Sequence, residues 1–409
     1  MNFIFKSIQT ASYLGDKNAS RQTRVRSAQR TSPSVCFLSF AARYAGRYPT
    51  LSFTHWDQFL CMMFAQLTAR SSLRDIVTCL HGQRSKLYHA GFRGNIARST
   101  LADANEKRSC QIFEDFALHL IGIARPLYAS QSLGTDLSQT VYAIDSTTID
   151  LCLSLFEWAP ATKGRAGIKL HTQLDLRGNI PAFILITTSR VSDVSFLDNL
   201  PLEAGSFYVM DRGYVHFERL LRFTHASAYF VTRAKNKMKY QIAGTISESL
   251  SAGVIKDECI LLTGQFTHKT YPHVLRRIEF YDETQQRDFV FVTNNFELDA
   301  AQVTALYKSR WQVELFFKWI KQHLRIKSFV GNSVNAVKTQ IWIAVCTYVL
   351  VAIIKKRLQV EASLHSMLQV LSLTLFETTS LVDLLKAIEP EPNDLENLQM
   401  GLFEEISGH

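Results

Sequence analysis

The 409-residue sequence carries seven cysteines, Cys36, Cys61, Cys79, Cys110, Cys152, Cys259 and Cys346, odd in number and scattered. They lack the close Cys/Cys or Cys/His pairing that zinc needs, and an even, spaced disulfide framework is likewise missing, which suits a reducing cytosol. Long hydrophobic runs are missing too. The longest, Ile341 to Ile354, is about 14 residues where a membrane span needs about 20, so it reads as a core helix. A GxxxxGK[ST] loop is absent, which argues against an ATP-driven step by a P-loop mechanism. Neither a Ser-His-Asp nor a Cys-His constellation stands out, so covalent catalysis has no candidate nucleophile. Acids are scarce at the start, where residues 1–50 hold eight Lys/Arg against one Asp, and basic residues at the end, where 381–409 hold seven Asp/Glu against one Lys. No secretory signal is apparent, although the Arg- and Ser-rich opening also reads as an organelle transit peptide.

What is present is ample core material, 47% hydrophobic, enough for two or three domains. The net charge of +9 and pI near 9.1 point to a polyanionic partner. Residues 1–35 lack periodicity and read as a disordered basic arm. Trp56–Leu67 has helical apolar spacing, and Ser72-x-x-Asp75 and Thr100-x-x-Asp103 read as capping boxes. The helical region 36–135 has basic residues, Arg93 and Arg98, ahead of a helix start, where a helix can enter a major groove. An ordinary helical domain with a solvated basic face fits equally well.

From Val141 the period changes. Val141–Leu151, Gly167–Leu176 and Ile180–Thr188 read as three strands, with a tight turn at Arg177-Gly178-Asn179. A short helix near Phe196–Leu202, a strand Phe207–Met210, a helix Val215–Thr224 and a strand Ala228–Thr232 follow. The next stretch, with short strands at Tyr240–Ala243, Ile260–Leu262, Val274–Phe280 and Phe289–Thr293, is β-rich. It ends before Tyr307–Lys327, YKSRWQVELFFKWIKQHLRIK, read as one helix. At 100° per residue Tyr307, Arg310, Glu314 and Lys321 share a face of about 60° on it, while apolar residues cover most of the rest, as in a buried helix. Surface pairs of Glu314 with Lys318 and Lys321 are the plainer reading of the same residues.

Two aspartates stand at strand positions suited to a site. Asp145 lies in YAIDSTTIDL and should emerge from the first strand; Asp211, in FYVMDRGY, ends the fourth, and open α/β sheets form sites at such ends. Each alone reads as readily as a cap or turn former. Asp150 and Asp175 are better explained as strand-end or turn residues. Lys169 and His171 alternate on one face of the second strand, His171 as a structural residue or DNA contact.

Tyr307-x2-Arg310-x3-Glu314-x6-Lys321, together with Asp145 and Asp211 in order before it, resembles the DDE transposases of bacterial insertion sequences, in the insertion-sequence-4 family with the Tyr-Arg-Glu-Lys signature. The resemblance covers roughly residues 41–355. It implies an α/β fold: a ribonuclease-H-like catalytic core in two parts, 136–235 and 299–360, split by a β-rich insertion at 236–298. A helical DNA-binding domain at 36–135 would precede it, and helices with an acidic tail, 361–409, would follow. Asp145, Asp211 and Glu314 would hold two Mg²⁺ or Mn²⁺ ions; hard oxygen ligands suit such ions, and two can drive an in-line displacement at phosphorus. Tyr307, Arg310, Lys318 and Lys321, with Arg93 and Arg98, would contact DNA, Arg through a planar fork and Lys as a point charge. The expected activity is cleavage at element ends and strand transfer into target DNA by a cytoplasmic, nucleoid-associated enzyme. Joining two ends implies at least a homodimer. A ribonuclease-H-like nuclease without joining, and a DNA-binding remnant with an idle centre, are the alternatives.

Overall fold

The computed structural model describes residues 33–44, 52–88, 90–92, 95–133, 137–161, 166–246, 253–324, 326, 328–376 and 381–386. Most of the expected arm, Arg93 and the acidic tail from 387 onward lie outside the described residues. The chain divides into two units, residues 1–123 with 323–409, and residues 124–322.

The first unit is helical. It contains α1 (Pro33–Arg43), α2 (His55–Leu67), α3 (Leu73–Gly82), α4 (Arg98–Lys107) and most of α5 (Gln111–Tyr128), then α9 (Val334–Arg357) and α10 (Leu364–Thr374) from late in the chain. Helix α2 starts at a reciprocal box: Thr54 accepts from the Asp57 amide while the Asp57 carboxylate accepts from the Thr54 amide. Ser72 caps α3 through the Asp75 amide at 3.1 Å, which is one half of the box its spacing predicts; the return bond from the Ser72 amide to the Asp75 carboxylate does not form among the described residues. The box expected at Thr100 is absent, because α4 begins three residues earlier, with Ala97 rather than Thr100 at the N-cap and no side-chain cap. The chain there is already fixed by buried Ile96 and Leu101 and by His81 Nε2, 2.8 Å from the Ile96 carbonyl oxygen.

Phe37, Phe59, Phe113 and Phe116 form the aromatic heart of this unit, with ring centroids 5.1–6.4 Å apart. Helix α9 packs on α2 and α4. It is long and apolar enough to cross a membrane, yet 94% of its apolar window is buried within the protein, which matches the core-helix reading. Its first turn is tied down by Asn335, whose amide donates to the Asn105 and Arg108 carbonyls and accepts from the Cys110 amide.

The second unit is built on one nine-stranded sheet: β1 (Val141–Leu151), β2 (Ala166–Asp175), β3 (Ile180–Thr188), β4 (Phe207–Met210), β5 (Tyr229–Arg233), β6 (Tyr240–Thr245), β7 (Val254–Leu262), β8 (Leu275–Asp282) and β9 (Arg287–Thr293), in the order β3-β2-β1-β4-β5-β9-β8-β7-β6. Strands β1, β4 and β5 are parallel; every other neighbouring pair is antiparallel. The β2–β3 hairpin turns at Gly178 and Asn179, both with positive φ, and a Cβ at Gly178 would lie 2.1 Å from the Tyr128 ring, so glycine is required there twice over. The β-rich stretch 236–298 joins this sheet through β9, which pairs with β5. Helix α6 (Phe217–His225) covers one face, where Tyr142, Ile144, Tyr208, Met210, Leu220 and Phe230 are buried. The helix expected near Phe196–Leu202 is a 3₁₀ turn at Asp193–Asn199.

The expected single helix from Tyr307 onward is two, α7 (Ala300–Ser309) and α8 (Trp311–His323). At their junction the Arg310 amide donates to the Tyr307 carbonyl and the Val313 amide to the Arg310 carbonyl, both i to i+3 bonds, while Ser309 Oγ takes the Leu306 carbonyl. The backbone is therefore tightened to a 3₁₀ turn at Arg310.

Candidate active site

Strand β1 runs out of the core into the site. Val141 to Ile144 are buried, and Asp145 to Thr147 are half-buried. On the parallel neighbour, Ile144 pairs with Met210 as the last registered rung, so Asp145 and Asp211 follow it on adjacent strands at one sheet edge. Asp211 turns the chain by capping the 3₁₀ turn Arg212–Tyr214, accepting from the Gly213 amide. Glu314 comes from the first turn of α8.

Arg310 links two of these acids. Its Nη1 donates to Asp145 Oδ2 at 2.9 Å and its Nη2 to Glu314 Oε1 at 2.8 Å. Tyr307 links the third, its hydroxyl donating to Asp211 Oδ1 at 3.3 Å. Burial raises the Asp145 carboxyl above its ordinary value despite Arg310. Glu314 is pushed up to about 7, by burial first and by the charges of Asp145 and Asp211, against the pull of Arg310. Burial also raises the Tyr307 phenol to about 12, so it stays a donor. Among the described residues no three His, Cys, Asp or Glu side chains are gathered closely enough to hold a metal ion. The three acids are thus brought to one place through Arg310 and Tyr307 rather than gathered into a ready-made cluster. Their chemistry fits a hard divalent cation: the donors are carboxylate oxygens, and a cationic guanidinium already sits between two of them.

Lys321 shares the region, donating to the Thr148 carbonyl of β1 at 2.9 Å, and Lys318 is half-buried on α8. Arg98 is exposed at the start of α4 in the helical unit. Asp150 is exposed, and Asp175 accepts from the Arg177 amide and Arg125, as a turn residue does. His171 is fully buried, with Nε2 2.9 Å from Thr187 Oγ1, which is the structural role.

Two groups of residues escaped the sequence reading. Asp193 accepts from Ser146 Oγ at 2.6 Å, pairs with Lys169 at 3.0 Å and lies 3.8 Å from His171 Nδ1. Burial works to raise its carboxyl, but the bonds from Ser146 and Lys169 outweigh it and hold the group low. Second, a cleft of about 300 Å³ is lined by Arg212, Arg233, Lys235, Arg277, Arg287 and Phe289. Arg233 and Arg287 lie over the Phe289 ring, and Arg277 is neutralised by Glu258 and Glu279. The signal was available: Arg212 follows β4 and Arg233 ends β5, two cations at the edge that carries Asp211.

The transposase DDE domain family matches residues 136–350, and a domain of unknown function (DUF4372) matches residues 29–93. A Sinorhizobium fredii protein named as transposase y4zB is 34% identical over 258 residues, 62% of this chain and 70% of that one. The probable transposase for insertion sequence element IS5377 of Geobacillus stearothermophilus is 32% identical over 209 residues, 51% of this chain and 54% of its own. A piggyBac transposase synaptic complex with hairpin DNA aligns with 91% of this chain and 85% of that chain, at 10% identity and a TM-score of 0.46, a likeness too slight to define the fold. With the domain match spanning more than half its length, and with such relatives, the chain belongs to the DDE transposase family of bacterial insertion sequences.

Proposed function

We propose that the chain cuts its element's ends and joins them to target DNA, with Asp145, Asp211 and Glu314 as the catalytic acids. The observation that carries this reading is the linkage of the three acids, from β1, the end of β4 and α8, through Arg310 and Tyr307 at one sheet edge. Three antiparallel strands followed by two parallel ones beyond β1 support a ribonuclease-H-like core, and the Tyr307, Arg310, Glu314 and Lys321 spacing supports the insertion-sequence-4 group.

The family is in general divalent-metal dependent. Here Asp145, Asp211 and Glu314 would hold two Mg²⁺ or Mn²⁺ ions, which when bound supply activation of the attacking oxygen and neutralisation of the leaving one. Cleavage adds water across a phosphodiester and leaves a 3′-hydroxyl; transfer forms a bond from that hydroxyl to a target phosphorus as the target's own P–O bond breaks. The chain's cations position the phosphates. Tyr307, Arg310, Lys318 and Lys321 flank the acids, and Arg212 and Arg233 extend the grip into the cleft, since cations at backbone phosphates fix register. Arg93 and Arg98 in the helical region 36–135 would hold the terminal inverted repeats. A homodimer would bring two ends together, in the cytoplasm at the nucleoid.

A strand-transfer assay with Mg²⁺ and the inverted repeats flanking the gene tests this reading. Joined products support it. Cleavage without joining would make the enzyme a nuclease, and end binding without cleavage would leave the centre idle.

A further inference from the structure

Arg310 sits where a cation would be expected to sit. Its fork reaches one oxygen on each of two acids from different elements, 2.9 Å to Asp145 and 2.8 Å to Glu314, with only 13% of its side chain exposed. A planar guanidinium holds two separate carboxylates in a fixed fork, where a lysine offers a compact point charge with rotatable donors. The Arg310 Nε is buried and makes no hydrogen bond among the described residues. The 3₁₀ turn at this residue lies between two helices, which is where a backbone can pivot.

We infer that Arg310 is a built-in substitute for the metal: in the DNA-free enzyme it clasps Asp145 and Glu314 and competes with divalent cations for them. The inference rests on the metal-site reading above. Guanidinium and metal are like-charged rivals for the same oxygens, so loading the site requires Arg310 to let go. A DNA phosphate is the natural receiver, because it offers acceptors for the released fork and for the unpaired Nε. Metal and DNA then enter cooperatively, and the free enzyme holds its acids in place without holding a reactive metal.

The experiment is a Mn²⁺ titration of the full chain without DNA, read by the electron paramagnetic resonance of free Mn²⁺, with metal-free melting as a second readout. The proteins are wild type, Asp145→Asn, Arg310→Gln, Arg310→Lys and the double variant Arg310→Gln/Asp145→Asn. Arg310→Gln is expected to bind Mn²⁺ about ten- to hundredfold more tightly than wild type, the scale of a hydrogen bond to a charged group. Adding Asp145→Asn should abolish the gain, and Arg310→Lys should fall between. Metal-free Arg310→Gln should melt lower than wild type and be raised more by Mn²⁺. Asp145-dependent binding in wild type with equal or weaker binding in Arg310→Gln overturns the inference while leaving the metal site standing. Binding that depends on Asp145 in no variant removes the metal-site reading and the inference together. Should Arg310→Gln not fold, Arg310→Lys decides, and an affinity unchanged from wild type overturns the inference.

Discussion

The Tyr307 hydroxyl donates to Asp211 Oδ1 at 3.3 Å, which ties the end of β4 to the last turn of α7. Asp211 is thereby held against the element that carries Arg310, and through it to Asp145 and Glu314. On the proposed reading the acids act as a set, so single neutral replacements should each disable it. Asp145→Asn, Asp211→Asn and Glu314→Gln are expected to reduce end cleavage by more than about a hundredfold, since even outer partners of a metal site matter on that scale. End binding by fluorescence anisotropy should stay close to wild type. Tyr307→Phe loses one hydrogen bond and should cost less, about tenfold.

Recognition of the ends should map elsewhere. In the full chain, Arg98→Ala and Arg93→Ala are expected to weaken binding to the terminal repeat while sparing cleavage chemistry once DNA is saturating. If each touches a phosphate, the slope of log affinity against log salt falls by about one per residue removed. An unchanged slope would take that residue off the DNA.

The cleft separates free cations from neutralised ones. Arg277 already faces Glu258 and Glu279, at 3.1 and 3.2 Å, so Arg277→Ala should change DNA affinity little. Arg233→Ala and Arg212→Ala remove cations with no carboxylate partner at ion-pair distance among the described residues and should each lower it severalfold, uniformly across sequences. Equal losses at all three positions would contradict this division.

His171 gives a pH signature. Burial holds its imidazole down to about 4 from an ordinary 6.5, with Asp193 opposing only in part. The unfolded chain therefore binds this proton more readily than the folded one, and stability falls as pH drops through the window between 6.5 and 4. From pH 7 to pH 5 this single group removes about 2 kcal/mol, visible in urea melts. His171→Gln should show a correspondingly smaller loss over the same interval, and an identical loss would mean that other groups carry it.

Much of the sheet was legible because its apolar runs are bounded by turn residues: Val141–Leu151, Ile180–Thr188 and Phe207–Met210 are strands to the residue. Strand β7 was legible only in its last three residues. Lys256, Asp257 and Glu258 interrupt its apolar pattern, and they become strand residues because Arg276 and Arg277 of β8 neutralise the two acids across the ladder, Asp257 in a pair only 2% exposed on either side. The three proposed acids were named from one mid-strand position, one strand end and a spaced signature. The partners of Arg310 could not, because a helical wheel brings it near Glu314 and says nothing of Asp145, whose approach depends on the fold. Asp193 was invisible for the same reason: it opens the 3₁₀ segment after β3, and only the sheet brings Ser146 and Lys169 to it.

The position of β9 between β5 and β8 has a consequence for any shortened form of the protein. Taking out the whole stretch from β6 to β9 would strip β5 of its antiparallel neighbour and leave its outer row of amides and carbonyls bare beside Asp211. A bare edge of that kind recruits other strands. The stretch is therefore also the guard rail of the parallel strands, and the outer hairpin β6–β7 can be trimmed while β9 still covers β5.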